Sequence, residues 1–391
     1  MHSNLINLNT ILEPIRREYK LPALSAAVIL DGMTIAIGAV GLRKVDDNVE
    51  VTPEDKFHLG SASKPMSATM IAVLVEHGKL KWENTLSEVF PEFSDKMLPK
   101  FRTVTLRQLL SHRAGLPTEI KDWPLETQNM LVSGAGSAME QPFYTNMFAF
   151  RPLVSTDTVV MIERRLMFTG LQLCADNYSS LPEPGTRYMY SNAGYMIAAS
   201  CAERVTGTVW EELVTDLVFK PLGMTTAGFG SMSKYGGIDQ PWSHTIIDGQ
   251  IFPLVRDLPP LMATAGCVHM SVGDWARFIT AHLEGYCGRS NILKAETYHI
   301  LQTSPFLDQT EYLGNAMDNY TLGWALQNNA SWAGGPVLRH QGSNDLNWAE
   351  VWMVPKRRFA VLMATNICDR QHPICDEAAV RARDACVQLF L

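Results

Sequence analysis

Long apolar runs are missing from this 391-residue chain, and none reaches the ~18 residues a membrane-spanning helix needs. Positive charge is scarce as well. The 33 Lys and Arg stand against 40 Asp and Glu, a formal net charge of −7, so the basic patch expected of a nucleic-acid or anionic-membrane binder is not there. The 7 cysteines are odd in number and scattered, which speaks against a disulfide framework. The first residues lack a charged region followed by an apolar stretch and a small-residue cleavage site, so the expectation is a cytoplasmic protein with reduced thiols. Cys368 and Cys375 flank His372 in "ICDRQHPIC", but at a spacing that matches no common zinc pattern. Buried or incidental thiols are the plainer reading there. No HExxH, Walker A loop or correctly placed GxGxxG is present, so no metal, nucleotide or dinucleotide cofactor is expected. Internal repeats, low-complexity tracts and obvious linkers are also lacking.

What remains is an ordinary globular composition, 46% hydrophobic and 19% charged, long enough for one large unit or two intertwined subdomains. Leu5, Leu8, Ile11, Leu12 and Ile15 recur at helical spacing and predict an N-terminal helix. "ALSAAVIL" and "MTIAIGAVGLRK" read as strands joined at Asp31-Gly32, a hairpin signal. "VLRHQG", "NWAEVWMV" and "RFAVLMATN" are strands near the other end, before a last helix in "EAAVRARDACVQLF". Between them the pattern is mostly helical, including "LRQLL", "NAGYMIAASCAERVTG" and "SVGDWARFITAHLEG", punctuated by Pro and Gly. The chain therefore predicts an α/β (α+β) fold, with an antiparallel sheet built from both termini and flanked by helices. The sheet subdomain takes about residues 1–80 and 281–391, and a mainly helical subdomain of about 81–280 is inserted between them.

The stretch "FHLGSASKPMSATMIAVLVEHGKL", residues 57–80, carries the first chemical signal. A helix beginning near Ser61 puts Ser61 and Lys64 one turn apart on one face. Free N–H groups and the positive end of the helix dipole then lie at Ser61, where an alkoxide or oxyanion would be favoured. Ser-x-x-Lys alone is weak, because an N-cap serine beside a solvated lysine gives the same pattern. Here the residues after Lys64 are almost unbroken apolar sequence, so its face is expected to be buried and its pKa depressed, as a base requires.

Two further patterns follow in order: Tyr190-Ser191-Asn192 at a loop-to-helix junction and His340-Gln341-Gly342 on a strand. With Ser61–Lys64 these resemble the three motifs of the serine β-lactamase and penicillin-recognising hydrolase superfamily, class C-like branch. "LRQLLSHRAGLP", "PGTRYMYSNAGY", "PLGMTTAGFG", "TAGCVHMSVGDWARF" and "YTLGWAL" resemble its secondary signatures, so that the likeness runs over roughly residues 8 to 390.

The resemblance implies that Ser61 is the acylated nucleophile and Lys64 its base partner. It implies that Tyr190 shares the base role and protonates the leaving group, with a phenolate form stabilised by the lysine; which of the two first takes the serine proton stays open. Asn192 is implied to bind the substrate carbonyl side, and the N–H groups of Ser61 and Ser343, after Gly342, to form the oxyanion hole. His340 stands where many relatives have lysine. A mostly neutral histidine suits neutral esters or amides better than anionic β-lactams. His112 and Arg113 are read as structural hydrogen-bonders, and Arg339 as facing away from the site.

Residues 119–174 depart from the family pattern. Trp123, Phe143, Tyr144, Phe148 and Phe150 beside "SGAGSA" suit either a lid-like acyl wall or a peripheral insertion with its own small core. The functional expectation is a serine hydrolase, most readily a carboxylesterase, acting on a small-molecule ester or amide. A D-stereospecific aminopeptidase or amidase, a β-lactamase and an acyltransferase would use the same residues, and a catalytically silent scaffold is the non-enzymatic alternative.

Overall fold

The computed structural model describes residues 5–132, 158–305, 319–328, 330–368 and 373–391. Seven strands form the main sheet, in the spatial order Ile6–Asn7, Met33–Gly41, Ala23–Leu30, Phe359–Thr365, Trp348–Val354, Val337–Ser343, Ala325–Gln327. The first pair is parallel and every other pair antiparallel. Both ends of the chain thus build one sheet, with the join between Ala23–Leu30 and Phe359–Thr365 at its centre. The Asp31-Gly32 link closes its hairpin with φ of 52° and 76°, the paired positive values of a type I′ turn.

Alternation along the strands decides what covers each face. Ala360 and Leu362 turn toward the helix Val272–Tyr286 and the apolar layer that also holds Lys64–Glu76, whereas Val361 and Met363 turn toward Ile374–Phe390 and the layer that also holds Asn9–Glu18. All four strand residues are fully buried. The larger of the two apolar layers continues into the helical region, where Lys64–Glu76 is buried along almost its whole length. There Arg165 is 0% exposed and paired with Glu203 and Glu211, each at 2.5 Å, pinning three helical segments together. Among the described residues no helix is long and apolar enough to cross a membrane.

The N-terminal helix starts later than its periodicity suggests. It spans Asn9–Glu18, and Ile6–Asn7 is instead a strand paired with Ala36 and Ile37. The cause is local: Asn7 Oδ1 accepts the Asn9 N–H at 2.7 Å, and Asn9 Oδ1 accepts the Ala39 N–H at 3.0 Å. These two asparagines tie the segment to the sheet edge before helix formation begins.

Candidate active site

The Ser61–Lys64 segment sits where the helical layer meets the sheet. The α-helix does not begin at Ser61: Gly60–Ser63 is a 3₁₀ turn and the helix runs Lys64–Glu76, with Pro65 in its first turn. Gly60 enters the turn at φ 51°, a conformation that favours glycine. In a 3₁₀ turn residues i and i+3 eclipse each other, which draws Ser61 and Lys64 together more directly than an α-helical turn would. Ser63 Oγ locks the turn by donating to the Gly60 carbonyl at 2.8 Å.

Lys64 is fully buried, and its Nζ has three neighbours: Ser61 Oγ at 2.8 Å, Asn192 Oδ1 at 2.8 Å and the Ala265 carbonyl at 2.7 Å. Two of these are carbonyl oxygens, which only accept. A neutral amine has two N–H bonds for them, and its lone pair is left facing the Ser61 hydroxyl. Burial pushes the Lys64 pKa well below its ordinary value, outweighing an opposing contribution from Cys267. Burial thus favours the neutral amine over the ammonium.

Tyr190 comes from the loop before the helix Asn192–Thr206 and hydrogen-bonds Ser61. Burial raises its pKa, and the bond to Ser61 offsets this only in part. The phenolate expected from sequence is disfavoured here. The burial that disfavours the Lys64 ammonium also weakens the charge that would have stabilised it, so both shifts favour the phenol. The same helix carries Asn192 one residue past Ser191, whose backbone N–H donates to His112 Nδ1 at 3.0 Å. His112 itself is 1% exposed with φ 58°, and its ring lies 4.3 Å from that of Tyr190. It supports the tyrosine loop from beneath.

The strand Val337–Ser343 brings in the third motif. Gly342 packs directly on the 3₁₀ turn: a Cβ there would overlap Leu59 O, Ala62 N and Ser61 N. On the opposing side, a Cβ on Gly60 would overlap the Ser343 and Gly342 backbone. Two bare glycines thus let the Ser61 and Ser343 segments touch backbone to backbone. His340 is 5% exposed and does not offer a free ring nitrogen. Its Nδ1 donates to the Gln341 carbonyl at 2.7 Å, and its Nε2 faces the Tyr320 hydroxyl at 2.8 Å. Burial holds its pKa down at about 3, so it is neutral and Tyr320 donates to Nε2. Arg339 alternates to the other face, 3.7 Å from Glu350.

Sequence reading assigned no role to Tyr320, the Ala265 carbonyl or Gly60. Trp123 is 2% exposed and packs on Phe168, with ring centroids 5.2 Å apart. It lines a groove of about 680 Å³ with Phe93, Leu125 and Met167, and none of the motif residues lines that groove. Phe143, Tyr144, Phe148, Phe150 and His372 lie outside the described residues.

A family model described as "Beta-lactamase" matches residues 8–384. "Penicillin-binding protein 4" of Amycolatopsis lactamdurans is 25% identical over 90% of this chain and 83% of its own length. Against several other relatives the chain spans 62% of their length. The structure resembles EstCE1, titled "a hydrolase with promiscuous acyltransferase activity", at TM-score 0.72 and 18% identity, covering 97% of each chain. It also resembles the D-amino acid amidase of Ochrobactrum anthropi, at TM-score 0.70 and 18% identity over 98% of this chain and 99% of that one.

Proposed function

Because the chain belongs to the beta-lactamase family, we propose that it is a serine hydrolase that acylates Ser61 and turns over small or medium carboxylic esters. The observation that carries this reading is the bonding of Lys64: two carbonyl acceptors occupy its N–H groups, and Ser61 Oγ lies 2.8 Å from Nζ. Lys64 takes the hydroxyl proton as Oγ bonds to the substrate carbonyl carbon. The oxyanion is held by the N–H groups of Ser61 and Ser343. Tyr190 gives its proton to the departing alkoxide, and the ammonium formed on Lys64 restores it. Water then attacks the acyl carbon by the reverse proton route, releasing the acid and Ser61. In this scheme Asn192 orients Lys64 and the substrate carbonyl side, and Gly342 keeps the two amides close.

The preference for esters over β-lactams rests on His340. A neutral ring bonded to Gln341 and Tyr320 supplies no fixed positive charge for a β-lactam carboxylate. The likeness to a D-amino acid amidase supports an amidase as the second reading. One assay separates them: hydrolysis of a p-nitrophenyl ester series, nitrocefin and D-alanyl-p-nitroanilide by wild type and Ser61→Ala. Serine-dependent ester turnover with little nitrocefin cleavage supports the esterase. Dominant D-amide or nitrocefin turnover replaces it with the amidase or the β-lactamase.

A further inference from the structure

Behind the two amides lies a cluster of polar side chains that the scheme above does not use. His58 ends the short strand Lys56–His58, two residues before Gly60, and is 1% exposed. Its Nδ1 accepts the Gly60 N–H at 3.1 Å, so the ring proton sits on Nε2, which donates to Asp257 Oδ2 at 2.9 Å. The other carboxylate oxygen, Asp257 Oδ1, accepts from the Leu258 N–H at 2.7 Å and from Asn344 Nδ2 at 3.0 Å. Asn344 follows Ser343 directly and is 2% exposed. Its own Oδ1 accepts from Leu346 N–H and Asn347 Nδ2, so its orientation is fixed.

The result is an unbroken path from the residue before Ser61 to the residue after Ser343: Gly60 N–H, His58, Asp257, Asn344. These are the two segments whose glycines meet backbone to backbone. We infer that His58, Asp257 and Asn344 form a brace that fixes the Ser61 and Ser343 amides relative to each other, making them positioning residues for acyl transfer. The inference rests on the reading of Ser61 as the acylated group. Oxyanion donors work because they are already aimed where charge develops, and a displacement of about 1 Å can lower a rate on the order of 10²-fold. The direct contact of Gly60 with Gly342 sets how close the loops come. The brace sets their sliding and rotation, because it grips each from a second side.

Asp257 is the informative position. In Asp257→Asn, Oδ1 keeps its bonds to Leu258 and Asn344, while the amide group faces His58 Nε2. His58 must then accept at Nε2 and carry its proton on Nδ1, where it opposes the Gly60 N–H. The side chain keeps its size, but one end of the brace lets go. Asn344→Asp acts at the other end: it retains the bonds from Leu346 and Asn347 and sets a second carboxylate against Asp257.

The test measures three quantities for wild type and both variants: ester kinetics, the affinity of a phenylboronic acid and the urea midpoint. The boronic acid forms a tetrahedral adduct on Ser61 and so samples the oxyanion site. The expected result is a fall in kcat of roughly 10- to 100-fold, KM within about twofold, and a loss of boronate affinity matching the loss in kcat/KM. A lowered urea midpoint with unchanged kcat and boronate affinity in the variant that folds would overturn the brace. Wild type is also treated with a fluorophosphonate. Absence of label on Ser61 there defeats the acylation reading itself, a failure distinct from that of the brace.

Discussion

The Tyr320 hydroxyl donates to His340 Nε2 across 2.8 Å, and the other ring nitrogen is already bonded to the Gln341 carbonyl. The histidine of the third motif is thus internally satisfied, and Tyr320 caps it. Tyr320→Phe leaves a buried nitrogen without a donor, at an expected stability cost of about 1–3 kcal/mol. Urea denaturation checks this. A midpoint equal to wild type would mean that the ring rotates to another partner.

Replacing the base itself has a different signature. Lys64→Met keeps the buried volume but removes the lone pair facing Ser61 Oγ. Ester kcat/KM is expected to fall by roughly 10²- to 10⁴-fold, the usual contribution of a general base. The protein should remain folded by circular dichroism. Retention of more than a tenth of the activity would assign the proton to Tyr190 instead.

Much of this was legible before any coordinates. The strands of both termini and the Asp31-Gly32 turn follow from alternation and turn chemistry, and the order Ser61–Lys64, Tyr190–Asn192, His340–Gly342 names residues that the fold brings together at the candidate site. What stayed hidden depends on pairing between distant segments. Ala265 acts through a main-chain carbonyl, which leaves no mark in a sequence. Asp257 meets His58 across 199 positions. Tyr320 did stand in a recognised segment, "YTLGWAL", but nothing local tied it to a histidine 20 residues on. The phenolate form expected of Tyr190 is disfavoured for a physical reason: the burial that lowers the Lys64 pKa also weakens the charge that would have stabilised the anion.

Gly342 should tolerate no side chain. In Gly342→Ala the added methyl meets Leu59 O and the amides of Ser61 and Ala62, which pushes the Ser61 and Ser343 segments apart. A loss of kcat on the order of 10²- to 10³-fold is expected, comparable to removing one oxyanion donor. Near-normal kcat would show that the loops can separate without harm.

Glu350 gives a pH-dependent stability prediction away from the reaction. It is 1% exposed, with Arg339 at 3.7 Å, and burial pushes its pKa up to about 8 from an ordinary 4.5. Asp376 raises it further, while Arg339 and Arg383 oppose the shift. The folded state therefore holds this proton more tightly than the unfolded chain does. Its stabilising effect is fully present below about pH 4.5 and is lost as pH rises to about 8. Glu350→Gln removes that loss. Its stability relative to wild type should improve steadily between pH 6 and 8, by up to a few kcal/mol, and then level off. Urea midpoints at several pH values measure this, and a difference independent of pH would contradict it.

The central claim is that Lys64 is neutral at rest and faces the Ser61 proton. The most direct measurement is the rate of Ser61 labelling by a fluorophosphonate as a function of pH, in wild type and Lys64→Met. A depressed Lys64 pKa predicts a wild-type rate that climbs and then reaches its plateau well below the ordinary lysine value of 10.5, with labelling largely lost in the variant. A rate still rising at pH 10, or a variant that labels as fast as wild type, would contradict it.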